Sequence, residues 1–242
     1  DSMLASRISA SAPAVIGQVG NITPAHVSLS AALLGAVPSE IKDATGDILG
    51  ASALVCALLF SGDEAIQKKQ AALLKKSAPP ELLRQVTKLD HALEDLNPRL
   101  RLPLLDLAIP ALRLMSLHQY ARLKEHIDAL ATADDRLSIF EFSVKEVIVS
   151  RVEAAFTPRT PKIRYKSITA LADDCVRLIS ALAAAGHANP QDAEKAFRAG
   201  LAVLPLKTEK AAMPTAGDIP FQALHIALGR FAASSPCLLY TS

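Results

Sequence analysis

A chain of 242 residues, half of them hydrophobic, carries enough apolar side chains for a real core in one large domain or two small ones. Lys plus Arg number 26 against 24 for Asp plus Glu, a net +2 with the two signs interleaved, so there is no electrostatic ground for binding nucleic acid or an acidic membrane surface. Disorder over the bulk of the chain is excluded by the same apolar content, which is Leu, Ala, Ile and Val with only 4% aromatic residues and no Trp.

Helix signals follow one another along the chain. Thr23-Pro24 reads as an N-cap with Pro at the first helical position, opening a run to residue 37. Pro38 starts a short amphipathic segment, SEIKDATGD. Residues 47–60 are almost wholly apolar, which predicts a central helix. The polar helix EAIQKKQAALLKKS comes next, with its acid first and lysines last, as the helix dipole favours. Pro79-Pro80 opens a helix with Leu82, Leu83, Val86, Leu89, Leu93 and Leu96 at three- and four-residue steps. In RLRLPLLDLAIPALRLM, Pro103 and Pro110 predict a kinked helix or two broken turns.

Ser116 with Gln119, and Ser138 with Glu141, are capping boxes at the heads of two further helices. Residues 157–162, with Pro158 and Pro161, predict an exposed loop. Residues 165–185 predict a long helix ended by Gly186, and Asn189-Pro190 caps another that runs to about Leu204. Residues 205–220 read as a linker, and a last amphipathic helix covers 221–233. The sum is an all-α chain, a multi-helix orthogonal array of about nine to eleven helices.

Cys56, Cys175 and Cys237 are widely spaced with no CxxC, so neither a zinc knuckle nor a redox pair is indicated. Cys56 and Cys175 read as small core residues in a reducing compartment, which leans toward a soluble, cytoplasmic setting. The uncharged run 48–62 is short of the roughly 20 residues a spanning helix needs. Residues 8–39 lack Lys, Arg, Asp and Glu, but Pro13, Gln18, Asn21, Thr23 and Pro24 interrupt them, so a buried helix is expected there and no membrane span. Asp1 follows no initiator Met or signal-peptide n-region, and residues 237–242 resemble the read-through of a sequencing-library adapter; the chain is expected to be a fragment.

None of the histidines His26, His91, His118, His126, His187 and His225 begins an HExxH, and no Glu-x-x-His pair marks a di-iron bundle. His118 and His126 share a helix face without an acid placed between them, and Asp90-His91-Glu94-Asp95 reads as a solvated face. There is no GxSxG, and ten glycines offer few places to cradle a phosphate. No catalytic or cofactor-binding residue is assigned. The acidic turn is the one cation candidate: Asp134, Asp135 and Glu141 are oxygen ligands clustered around a turn and the helix after it. A capped helix following a turn accounts for the same residues without metal.

The run ATADDRLSIFEFSVKEVI resembles the turn-and-helix signature of TerB-like tellurite-resistance domains, in which an Ala-Asp-Gly turn precedes a hydrophobic residue and a helix-opening Glu. Asp134 matches the turn Asp and Glu141 the helix Glu, whereas Asp135 stands where Gly is usual. A broader resemblance covers residues 20–205. GNITPAHVSLSAALLGAVPSEI, GASALVCALLFSGDEAIQKKQAALL and RLPLLDLAIPALRLMSLHQYARLKEHIDAL are similar to the region that follows the catalytic domain in bacterial HtpX-like membrane zinc metallopeptidases. LPLLDLAIPALR and SLHQY are its most specific phrases.

This resemblance implies a non-catalytic regulatory or interaction region of a larger chain, docking on a missing protease domain that would hold the zinc, or gathering protein partners at the membrane face. The alternative is a free-standing TerB-like binding module, with or without a bound cation. The expected organisation is a truncated entry segment (1–22), a helical subdomain (23–115), a TerB-like helical subdomain (116–204), the linker (205–220), the start of a truncated helical segment (221–236) and the tail (237–242).

Overall fold

The computed structural model describes residues 35, 37–134, 137–156, 162–206, 211–214 and 219–235. Among these the chain is all-α, with helices throughout and no strand. It divides into two compact units, whose described parts are residues 35–156 and 162–235. The first unit therefore runs across the expected subdomain boundary at 115/116. The expected helix at 23–37 falls almost entirely outside the described residues, as do the tail 237–242 and most of the loop 157–162.

In the first unit α1 is Ser39–Ala44, α2 Ile48–Leu58, α3 Glu64–Ser77, α4 Pro80–Glu94, α5 Arg101–Leu112, α6 Leu117–Ala131, α7 Ile139–Ile148 and α8 Ala154–Phe156. Helix α2 is the centre. Every residue from Gly50 to Leu58 is buried, and α1, α4, α5 and α6 all pack on it. A helix apolar on all sides is stable only when surrounded in this way. It begins where the Asp47 carboxylate accepts from the Gly50 N–H at 2.9 Å. Helix α3 shows only one face to the core, burying Gln70 and Leu74, and packs on α6.

The stretch with Pro103 and Pro110 forms one helix, α5, rather than two. Pro103 sits in the first turn, where its missing N–H has no intrahelical partner to lose, and Pro110 sits in the last, where few bonds remain to break. Both capping boxes form: Ser116 with Gln119 opens α6, and Ser138 with Glu141 opens α7. Between α7 and α8 the helix widens into a π turn, Val149–Glu153. There Arg151 reaches Asp106 of α5 at 2.6 Å, and Glu153 accepts from the Tyr120 hydroxyl of α6 at 2.8 Å.

The second unit contains a 3-10 turn, Ile168–Leu171, then α9 (Ala172–Gly186), α10 (Pro190–Ala202) and α11 (Phe221–Ala232), with α10 and α11 both packed on α9. The predicted helix at 165–185 starts seven residues late, because Tyr165 lies in extended backbone that pairs with Ser234. Arg164 donates to the Ala233 carbonyl at 2.8 Å, and Ser235 donates to the Tyr165 carbonyl at 2.9 Å. Within the expected linker, Ala211 and Met213 pack on the core formed by Ala183, Phe197 and Leu201. Cys56 and Cys175 are buried, as their apolar surroundings in the sequence predict.

Candidate functional site

The acidic turn is only partly brought together. Asp135 lies outside the described residues. The Glu141 carboxylate accepts from the Ser138 N–H at 2.7 Å while the Ser138 hydroxyl accepts from the Glu141 N–H at 3.2 Å, so it closes the capping box. Asp134 and Glu141 do line one cavity, of about 530 Å³, below the C-terminal end of α2. Arg101 lines it too, and a guanidinium there opposes a second cation by Coulomb repulsion. Among the described residues no group of three or more His, Cys, Asp or Glu is placed to hold a metal ion.

Three other carboxylates of the first unit tie elements together. Asp128 of α6 meets Lys145 of α7 at 2.6 Å, and Glu40 of α1 meets Lys88 of α4 at 3.5 Å. Asp90 accepts from the Gln67 side-chain amide at 2.7 Å. Its carboxyl is held above the usual range, first by burial and then by the nearby charge of Glu94.

The histidines part company. His91 is exposed and pairs with Glu94 on the same helix at 3.2 Å. His187 lies 3.0 Å from the Ala183 carbonyl at the end of α9, His225 is exposed on α11, and His26 lies outside the described residues. His118 and His126 behave as their eight-residue spacing predicts: both stand on one face of α6, and that face lines a cleft.

This cleft encloses about 520 Å³, within the range of small-molecule sites. Helix α2 contributes Ile48, Leu49 and Ser52; Pro79 and Leu82 come from the head of α4, Met115 from the turn before α6, and Leu123 from α6 itself. The walls are mostly apolar. The polar groups converge from α6, where His118, Arg122 and His126 recur at four-residue steps. The Ser52 hydroxyl is already satisfied, donating to the Ile48 carbonyl. Arg122 donates through Nη2 to the carbonyl of Ser77, at the end of α3.

His126 is the unusual member. It is only 3% exposed, and its Nε2 is buried with no hydrogen-bond partner. Burial pushes its pKa down and the Arg122 charge adds to that effect, while the Ser77 backbone and Glu125 act the other way. Its buried Nε2 faces no hydrogen-bond partner. Such a group costs stability unless something satisfies it.

The sequence placed His118 and His126 on one face but missed the cleft, whose other wall comes from residues 36 to 78 positions earlier on α2 and α4. The i, i+4, i+8 recurrence of His118, Arg122 and His126 was the one local signal. Comparison of the chain with models of known protein families, with curated proteins and with solved structures finds no match.

Proposed function

We propose that this chain is a non-catalytic binding region, the regulatory and interaction part of a membrane-associated zinc metalloendopeptidase, with the protease domain of the same protein as its partner. The observation that carries the reading is the corner between α5 and α6. There Leu114 is 75% exposed and Leu117 64% exposed, on either side of the Ser116 cap. These residues lie inside the stretch RLPLLDLAIPALRLMSLHQY that carries the HtpX-like resemblance. Within the same stretch Leu104, Leu105, Ala108, Ile109 and Leu112 fill the core, and Ser116 and Gln119 cap a helix. Exposed leucines at a capped corner suit a docking contact better than a reaction.

The purified chain is expected neither to bind zinc stoichiometrically nor to cleave casein, and zinc-dependent cleavage overturns the reading. The coding sequence upstream of Asp1 is expected to hold an HExxH preceded by hydrophobic spans. A start codon just before Asp1, with no such motif, leaves the free-standing TerB-like module instead. That second reading draws on Asp134 and Glu141 sharing a cavity. A rise in melting temperature with millimolar calcium favours it, since a ligand selective for the folded state stabilises that state.

A further inference from the structure

We infer that the cleft between α2, α4 and α6 binds a small amphipathic carboxylate, its apolar body among Leu49, Leu82, Met115 and Leu123 and its acid group at Arg122 and His126. Three features of the cleft select this class of ligand.

The first is size and lining. About 520 Å³ walled by Ile48, Leu49, Leu82, Met115 and Leu123 accepts an apolar body and gives little to a sugar or a nucleotide. The second is sign. Among the described residues lining the cleft there is no Asp or Glu, and its charge is that of Arg122. One guanidinium N–H is used on Ser77, yet the group has five in a planar fork, a match for a carboxylate. The third is the imidazole of His126. Its Nε2 is buried and without a partner on the same wall, one helical turn from Arg122. A carboxylate oxygen reaching it receives a hydrogen bond from the ring and removes the penalty of an unsatisfied polar atom. An alcohol of the same body lacks the charge for Arg122, and an ammonium is repelled by it.

The inference concerns this cleft alone and stands whether or not the chain belongs to a protease. It is tested by isothermal titration of the 242-residue chain at pH 7 with octanoate, octanol and octylammonium, which share a body and differ in head group. Octanoate is expected to bind at a single saturable site at least about tenfold more tightly than octylammonium. Arg122 is exposed, so Arg122→Gln keeps the fold, as an unchanged melting temperature will verify. That variant is expected to lower octanoate affinity to that of octanol and leave octanol unchanged. Leu49→Trp, which fills the cleft from the α2 side, is expected to abolish binding of octanoate and octanol together. The proposal is overturned by the absence of saturable octanoate binding, by octylammonium binding as tightly, by Arg122→Gln binding octanoate like the parent, or by a folded Leu49→Trp that still binds it.

Discussion

The side-chain amide of Gln70 donates to the Leu130 carbonyl at 3.0 Å, joining the middle of α3 to the end of α6 across sixty positions of sequence. The same amide nitrogen donates to the Leu59 carbonyl at 2.9 Å, and the side-chain oxygen accepts from the Ser61 N–H at 2.8 Å. One buried glutamine thus satisfies backbone groups at the ends of two helices, α2 and α6. Gln70→Leu preserves much of the volume and strands all three groups. It is expected to cost about 3 kcal/mol or more, read as a lower midpoint in urea with an unchanged slope.

Gly50 lies where α1 and α2 meet. A Cβ added there would come within 2.5 Å of the Ala44 carbonyl oxygen and 2.8 Å of the Ala44 Cα. Both are backbone atoms that no side-chain rotation can move. In a free helix Gly→Ala gains about 1 kcal/mol; here the sign reverses. Gly50→Ala is expected to destabilise by about 1–3 kcal/mol in chemical denaturation.

Asp174 is fully buried in the second unit and meets Arg177 at 3.2 Å and Arg230 at 3.1 Å, the latter bringing α11 onto α9. Arg230 also donates to the Tyr165 hydroxyl at 3.1 Å and stacks over that ring, so one side chain holds the helix and the paired segment together. Removing Arg230 leaves a buried carboxylate short of a partner. Arg230→Ala is expected to lower the melting temperature, and adding Asp174→Ala to recover part of that loss. If the double variant melts where additivity of the two single changes places it, the pair is not coupled.

His126 makes stability depend on pH. Its folded-state pKa lies below the ordinary 6.5, so as pH falls through that value the unfolded chain takes up a proton that the folded chain resists. Stability is therefore at its full value above pH 6.5 and declines on acidification below it. The charges that act on the ring are Arg122 and Glu125, on the same helix. Asp90, with a raised pKa, acts in the opposite sense around and above the ordinary carboxylate range. Urea titrations between pH 7.5 and about pH 5.5 are expected to show the decline, and His126→Leu to flatten it.

Much of the fold was legible because helix ends are written locally. Asp47, Asp63, Ser116, Ser138 and Asn189 each accept from a backbone N–H within three residues of themselves, so a short window of sequence contains the whole cap. The apolar recurrence that predicted α4 places Leu82, Val86, Leu89 and Leu93 in the core. Glu141 was legible as a cap for the same reason, and its carboxylate makes that bond. Where sequence reasoning departed from the structure, the deciding partner lay far off. Tyr165 leaves the helix pattern to pair with Ser234, which no local signal announces.

Read without coordinates, the residues already show that the described chain is helical, where most of its helices begin, which faces are apolar, and that His118 and His126 share one side of α6. Tertiary structure alone decided that this side of α6 meets Leu49 and Leu82 across a cleft, that Gln70 ends up buried among carbonyls, and that Asp174 becomes a fully buried charge. The physical reason is range. Caps and helical periodicity are satisfied within a turn or two of the chain, whereas a cleft, a buried amide or a buried carboxylate exists only once segments tens of residues apart have packed and excluded water.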